Sequence, residues 1–186
     1  MSGTDLTNHF LIAMPSLADS NFSRTVTYLC EHTEEGAMGI VINRPTDVYL
    51  PELLDHLGCA SHDPALAERP VYLGGPVQRE RGFVLHRPEG DWDASMQIAE
   101  QVSITTSKDI LEALAEGRGP SAYLVALGYA GWGPGQLEAE IAENAWLSGP
   151  ADPAIMFDRP EEDRWQAAAA LLGVDLTLLS SQAGHA

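Results

Sequence analysis

The chain is 186 residues long, a length that suits one domain with a sizeable core. Its 45% hydrophobic and 20% charged residues exclude a disordered chain, and no uncharged apolar run approaches the ~20 residues needed to span a bilayer. With 27 acids against 10 bases the formal net charge is −17, which disfavours direct nucleic-acid binding, because that affinity comes from Lys and Arg neutralising phosphates.

The bases carry no local exception: nine arginines stand singly, and Lys108 is the only lysine, so no basic cluster forms along the chain. Two cysteines, Cys30 and Cys59, make no disulfide framework and no CxxC. The start MSGTDLTNHF has an acid and neither a basic cluster nor a long apolar run, which is not the make-up of a signal peptide. A cytoplasmic protein with no membrane partner is the expectation.

In chain order, HFLIAMP (His9 to Pro15) reads as a short strand closed by proline. RTVTYLCEH (Arg24 to His32) is β-branched and aromatic, and HTEEGAMG turns it into GIVINRP (Gly39 to Pro45), an apolar run without alternation that predicts a strand covered on both faces. Pro51 opens a short helix with Leu53, Leu54 and Leu57 on one face and Gly58 as its stop. CASHDPALAERP reads as loop, and VYLGGPV with RGFVLHRP as a second strand pair.

QIAEQVSITT (Gln97 to Thr106) predicts one further strand, and Ser107 an N-cap for KDILEALAEG, whose Ile110, Leu111 and Leu114 point inward. SAYLVALGY (Ser121 to Tyr129) predicts another buried strand. GYAGWGPGQLEAEI then reads as a tight turn into a helix, with Gly133 as N-cap, Pro134 at N1, and Leu137, Ile141 and Ala145 facing the core. AWLSGPADPAIMFDRP predicts one or two short strands. Pro160 and the acids at 161 to 163 open a last helix with Trp165, Ala169 and Leu172 on one face, ended by Gly173. The domain is expected over 1–176, with a frayed tail at 177–186. Hairpins beside strand–helix units predict an α+β fold.

Gly39 to Pro45 echoes Gly82 to Pro88, each an apolar run ending in Arg-Pro and each preceded by a Tyr-Leu pair, Tyr28-Leu29 and Tyr72-Leu73. The echo predicts two similar hairpins whose Arg44 and Arg87 leave their strand ends alike, since proline holds the preceding residue extended. It also picks out a candidate ligand surface at Asn43, Arg44, Arg81, His86 and Arg87. Gly74 and Gly75, followed by Arg79 and Arg81, allow close backbone approach to a ligand, although a turn uses such a pair as readily.

Signals for chemistry are few. Cys30 and His32 sit two apart on a strand, where alternation puts them on one face as a candidate thiol and base, or as two metal ligands. A buried structural cysteine is the plainer reading of Cys30, and no second Cys/His cluster completes a metal site, so no metal and no cofactor are expected. There is no HExxH, no GxSxG and no GxxxxGK[ST]. ITTSK brings Thr105, Thr106, Ser107 and Lys108 to a helix start, a candidate anion site, with an ordinary cap as the alternative. GYAGWGPG is a poor phosphate cradle, because Glu138 and Glu140 already occupy the first turns of its helix. Its Tyr129 and Trp132 suit stacking on a neutral partner better.

Five blocks, HFLIAMP, TVTYLCEH with GAMGIVINRP, YLGGPV with ERGFVLH, ITTSKDIL, and GYAGWGPGQLEAEI with NAWL, stand in the order and spacing of the YqgE/AlgH family of bacterial proteins, which the chain resembles along nearly its whole length. The resemblance implies a compact single α+β domain with a bifurcated, barrel-like, mostly antiparallel sheet flanked by helices. One branch of that family is labelled a transcriptional regulator linked to alginate production, and the family offers no agreed catalytic residues to carry over. The strong negative charge, with no helix-turn-helix pattern and no basic stripe, fits direct DNA binding badly. The leading expectation is therefore a non-catalytic binding or regulatory module that acts through a protein or small ligand. A thiol enzyme built on Cys30 and His32 is one alternative, and a transcriptional regulator, as the family label says, is the other, with direct DNA binding disfavoured by the acidity.

Overall fold

The computed structural model describes residues 5–183. Its elements run β1 (His9–Ala13), β2 (Val26–Thr33), β3 (Gly36–Val41), β4 (Pro45–Tyr49), α1 (Leu50–His56), β5 (Pro70–Leu73), β6 (Val77–His86), β7 (Ser95–Ala99), β8 (Val102–Thr105), α2 (Lys108–Ala115), β9 (Tyr123–Trp132), α3 (Gln136–Ala142), β10 (Trp146–Pro150), α4 (Pro153–Phe157), α5 (Glu161–Ala170) and α6 (Leu176–Ala183). The strands form one curled sheet in the order β10-β1-β2-β3-β9-β6-β8-β7, and β4 and β5 branch off it beside β9. Every pairing is antiparallel except β5 with β9. This is a single α+β domain with a half-barrel sheet, as expected.

The branch point follows from three glycines. Along one edge β9 pairs first with β5, at Ala126 and Leu127, and then with β3, from Ala130 to Trp132. Between them the chain at Gly74 and Gly75 crosses against β9. A Cβ on Gly74 would stand 2.4 Å from the Gly128 carbonyl oxygen, and one on Gly75 would stand 2.1 Å from the Tyr129 carbonyl carbon. Gly128 faces them in the left-handed region, at φ +79°. Side chains at this crossing would force the two backbones apart.

Three apolar clusters hold the layers together. Tyr28, Phe10, Ile12, Ile40, Ile42, Phe83 and Leu85 on the concave face meet Trp165, Ala168, Ala169, Ile155, Met156 and Leu176 of α4, α5 and α6. Leu50, Leu54, Ile110, Leu111 and Leu114 of α1 and α2 cover Val71, Val84 and Val125 on the convex side. Leu137 of α3 joins Leu11, Leu29, Trp132 and Trp146 in the third. Among the described residues, no helix is long and apolar enough to cross a membrane.

Several expectations need correction. VYLGGPV and RGFVLHRP are not a strand pair: β5 bonds β4 and β9, whereas β6 bonds β8 and β9. The hairpin echo therefore fails, since β2 and β3 do pair with each other while β5 and β6 do not. The single strand predicted over Gln97–Thr106 is a hairpin, β7–β8, turning at Glu100 and Gln101. The strand predicted to end at Tyr129 runs on to Trp132, and α3 is entered through Gly135, at φ +74°, rather than capped by Gly133. PAIMF forms the short helix α4, capped by the Asp152 carboxylate on the Ala154 N–H. α6 occupies much of the stretch expected to fray, and residues 184–186 lie outside the described residues.

Candidate functional site: an apolar cleft on the concave face

The C-terminal helices cover only part of the concave face. Where they stop, the sheet encloses an open cleft of about 860 Å³, within the roughly 300–1,000 Å³ usual for small-molecule sites. Met38 of β3, Phe83 of β6, Ile104 of β8 and Tyr129 of β9 line it, with Cys30 at its floor. Phe83 and Tyr129 meet edge to face with ring centroids 5.8 Å apart. Met96 on the outermost strand β7 is 50% exposed over the mouth. The polar groups stand at the rim: Glu31, Arg81, Asp93, Ser95 and Thr106. The Arg81 guanidinium lies 5.2 Å from the Phe83 ring centroid, so its charge borders the aromatic floor.

Of the predicted site residues, the structure brings Arg81, Cys30 and Thr106 to this cleft; the rest do not line it. Asn43 is a brace: its Oδ1 accepts from the Val26 N–H and its Nδ2 donates to the Arg24 carbonyl, both at 2.9 Å. The Arg44 guanidinium donates to the carbonyls of Ser20, Asn21 and Ser23, pinning the loop before β2. Arg87 donates to Gln101 Oε1 at 3.0 Å and lies over the Phe157 ring. Gly74 and Gly75 serve the strand crossing. His86 is buried: its Nδ1 meets the Arg87 carbonyl and its Nε2 lies 2.7 Å from Thr105 Oγ1, so burial pushes its pKa down. The surface patch inferred from the echo is therefore not assembled.

Cys30 and His32 do not form a pair. A β-bulge between Leu29 and Glu31 breaks the alternation, a local irregularity that re-aims the side chains beyond it. Cys30 enters the concave core, 3.8 Å from the Tyr28 carbonyl. His32 turns to the other face, where Nδ1 accepts the Leu6 N–H at 3.0 Å, and Nε2 therefore donates to Glu138 Oε2 at 3.3 Å. Burial, reinforced by the neighbouring Glu31 charge, drives the Cys30 thiol far above its ordinary value, so no thiolate stands ready at neutral pH.

The ITTSK anion site is also filled from within. The Asp109 carboxylate takes the start of α2, accepting from the Ile110 N–H, the Asp93 N–H and the Ser107 hydroxyl. Ser107 precedes α2 as expected, but its hydroxyl caps no helix N–H. Thr105 is fully buried between His86 and Ser95, 3.0 Å from the Ser95 hydroxyl. Among the described residues, no group of three His, Cys, Asp or Glu converges as for a metal ion.

Met38, Phe83, Ile104 and Met96 were invisible as site residues in the sequence because apolar strand residues there read as core. Tyr129 was the signal at hand, a large aromatic directly after a glycine. Trp132 also borders the cleft, but its ring packs with Phe22 and Trp146, and the Glu140 carboxylate accepts from both indole N–H groups, at 3.0 and 2.9 Å.

Comparison with known proteins agrees along the whole chain. A family model described as AlgH-like (DUF179) matches residues 10–177. A UPF0301 protein of Thioalkalivibrio sulfidiphilus is 61% identical over 100% of this chain and 99% of its own length. One from Nitrosococcus oceani is 58% identical over 96% of each. The solution structure of the AlgH protein from Pseudomonas aeruginosa superposes with a TM-score of 0.80 at 55% identity, covering 100% of this chain and 98% of that one. A crystal structure of a protein from Corynebacterium diphtheriae, 22% identical with a TM-score of 0.76 over 97% of this chain and 94% of its own, shares the fold. The chain belongs to the AlgH-like family.

Proposed function

We propose that this protein is a non-catalytic binding module of the cytoplasm that takes a small, mainly apolar ligand in the concave cleft and passes on its presence as a regulatory signal. The observation that carries the reading is the cleft itself: about 860 Å³, floored by Met38, Phe83, Ile104 and Tyr129, with its charges confined to the rim. A ligand there buries its body against the aromatic pair and is oriented by the charges of Arg81, Asp93 and Glu31 at the rim. The buried, protonated Cys30 thiol supports binding over thiol catalysis. The net charge of −17 supports a small ligand or a protein over DNA.

Fragment screening by thermal shift tests this. A cleft ligand at 100 times its Kd adds ~2.7 kcal/mol, which raises Tm by about 5–10 °C at this chain length. Met96→Glu, at an exposed position, places a charge at the mouth and abolishes the shift for apolar hits without unfolding the protein. Hits that stabilise wild type and Met96→Glu equally would place the binding surface elsewhere.

A further inference from the structure

The two ends of the sheet are β10 and β7. An uncovered end strand is a template for pairing, which native proteins blunt with proline, charge or a covering element. β10 is covered: Trp146 and Gly149 are buried, and a Cβ on Gly149 would stand 2.5 Å from Leu172 Cδ2. β4, at the edge of the branch, opens with Pro45. The first three residues of β7 have no such protection. Its sequence SMQIA carries neither proline nor charge, and Ser95, Met96 and Gln97 are all exposed.

The register shows which backbone groups are free. The Ala94 carbonyl accepts from the Thr106 N–H at 2.9 Å, and Met96 stands opposite Ile104. Bonded and unbonded pairs alternate along an antiparallel ladder. Met96 therefore bonds β8, and the N–H and C=O groups of Ser95 and Gln97 point outward. None of those four groups has a protein partner among the described residues. The far end of the strand is closed, by the bulge between Gln97 and Ala99 and by the bond from Gln97 Nε2 to the Ala99 carbonyl at 3.0 Å. The open edge is thus residues 95–97.

The charge around this edge selects the partner. Asp91 and Asp93 precede β7 and Glu100 follows it; all three are exposed, and none is in an ion pair among the described residues. Arg87 reaches the β7–β8 turn but is bonded to Gln101. A second copy would bring the same acids and a net charge of −17, which opposes the pairing of like edges. We propose that β7 takes up an extended segment of a partner protein as an added antiparallel strand, one in which apolar residues alternate with Lys or Arg. Side chains directly opposite Met96 share its concave face. The apolar residues therefore extend the wall of the cleft mouth, and the basic residues answer the acids at both ends of the strand. The backbone bonds to Ser95 and Gln97 are made outside the cleft, so a cleft that takes no small ligand leaves the proposal standing.

The probe is the capped peptide acetyl-KVKVKV-amide, its Kd taken from the fluorescence anisotropy of a labelled copy at low salt. At about ten times that Kd, amide hydrogen exchange read by NMR is expected to slow about tenfold at Ser95 and Gln97. Exchange at Met96, whose amide already bonds β8, is expected to stay unchanged. With the valines on the Met96 face, the lysine amides face β7. N-methylating the lysine amides is therefore expected to abolish binding, and N-methylating the valine amides to leave it intact. Acetyl-EVEVEV-amide is expected not to bind. No slowing at Ser95 and Gln97, equal effects of the two methylation patterns, or equal binding of the glutamate peptide overturns the proposal. Protection of the two amides that rises with protein concentration, without peptide, assigns the edge to a second copy and overturns it too.

Discussion

Glu140 carries more of the fold than its place on a half-buried helix suggests. Its Oε1 accepts from Trp132 Nε1 and Trp146 Nε1, and its Oε2 accepts from Gln136 Nε2 at 2.8 Å. Trp132 and Trp146 are 6% and 3% exposed, so Glu140→Ala strands two indole donors in an aromatic cluster that also includes Phe22. Each orphaned donor costs about 1–3 kcal/mol. Because Glu140 is half-buried, water reaches part of the gap, and we expect a total loss of about 2–4 kcal/mol. Glu140→Gln keeps an amide oxygen for both indoles but loses the charge assistance and the acceptor for exposed Gln136 Nε2, together about 1 kcal/mol. Urea unfolding followed by tryptophan fluorescence, at unchanged m-value, measures both. Equal losses for Ala and Gln, or an Ala loss below about 1 kcal/mol, would refute the shared-acceptor argument.

Gly75→Ala, whose Cβ would meet backbone atoms of Tyr129 and Ala130 at 2.1 to 2.4 Å, is expected to cost at least ~2 kcal/mol in the same assay, while Gly82→Ala, with open space around its Cβ, is expected to be near neutral. Mild alkylation at neutral pH should modify half-buried Cys59 and spare Cys30, as read by mass spectrometry, because burial raises both thiols but leaves Cys30 only 3% exposed; prompt labelling of Cys30 would reopen thiol chemistry. Burial lowers the His86 pKa, partly opposed by the Arg87 carbonyl and the Glu89 charge, so the folded state resists a proton the unfolded chain accepts at about 6.5. Stability should therefore be full above that pH and decline as pH falls below it. His86→Gln should flatten that slope, and an unchanged slope would assign it to other groups.

Strand and helix positions were largely legible, because apolar runs such as TVTYLC and GIVIN and the proline at 51 state them locally. Pairing was not. The parallel contact of β5 with β9 depends on glycines 74, 75 and 128 meeting across the fold, and nothing in VYLGGPV announces that its partner lies fifty residues on. The β7–β8 turn was hidden because Glu100 and Gln101 are not turn residues by type. Strand β4 was missed because Pro45 and its alternating exposure suit an edge. At the site, the period-2 rule that paired Cys30 with His32 failed at one bulge. Arg44 and Arg87 looked like free cations because their carbonyl and amide partners are remote in sequence, whereas Arg81 remained exposed beside the cleft. Local chemistry was readable; its convergence was a property of the folded sheet.

The central claim is that the concave cleft is the functional surface. Amide chemical-shift mapping during titration with a stabilising fragment tests it most directly. Perturbations are expected to gather at residues 37–38, 93–96 and 129–132 and to be lost in Met96→Glu. Perturbations centred on α1, α2 or the Arg44 loop, with the cleft residues unmoved, would contradict it.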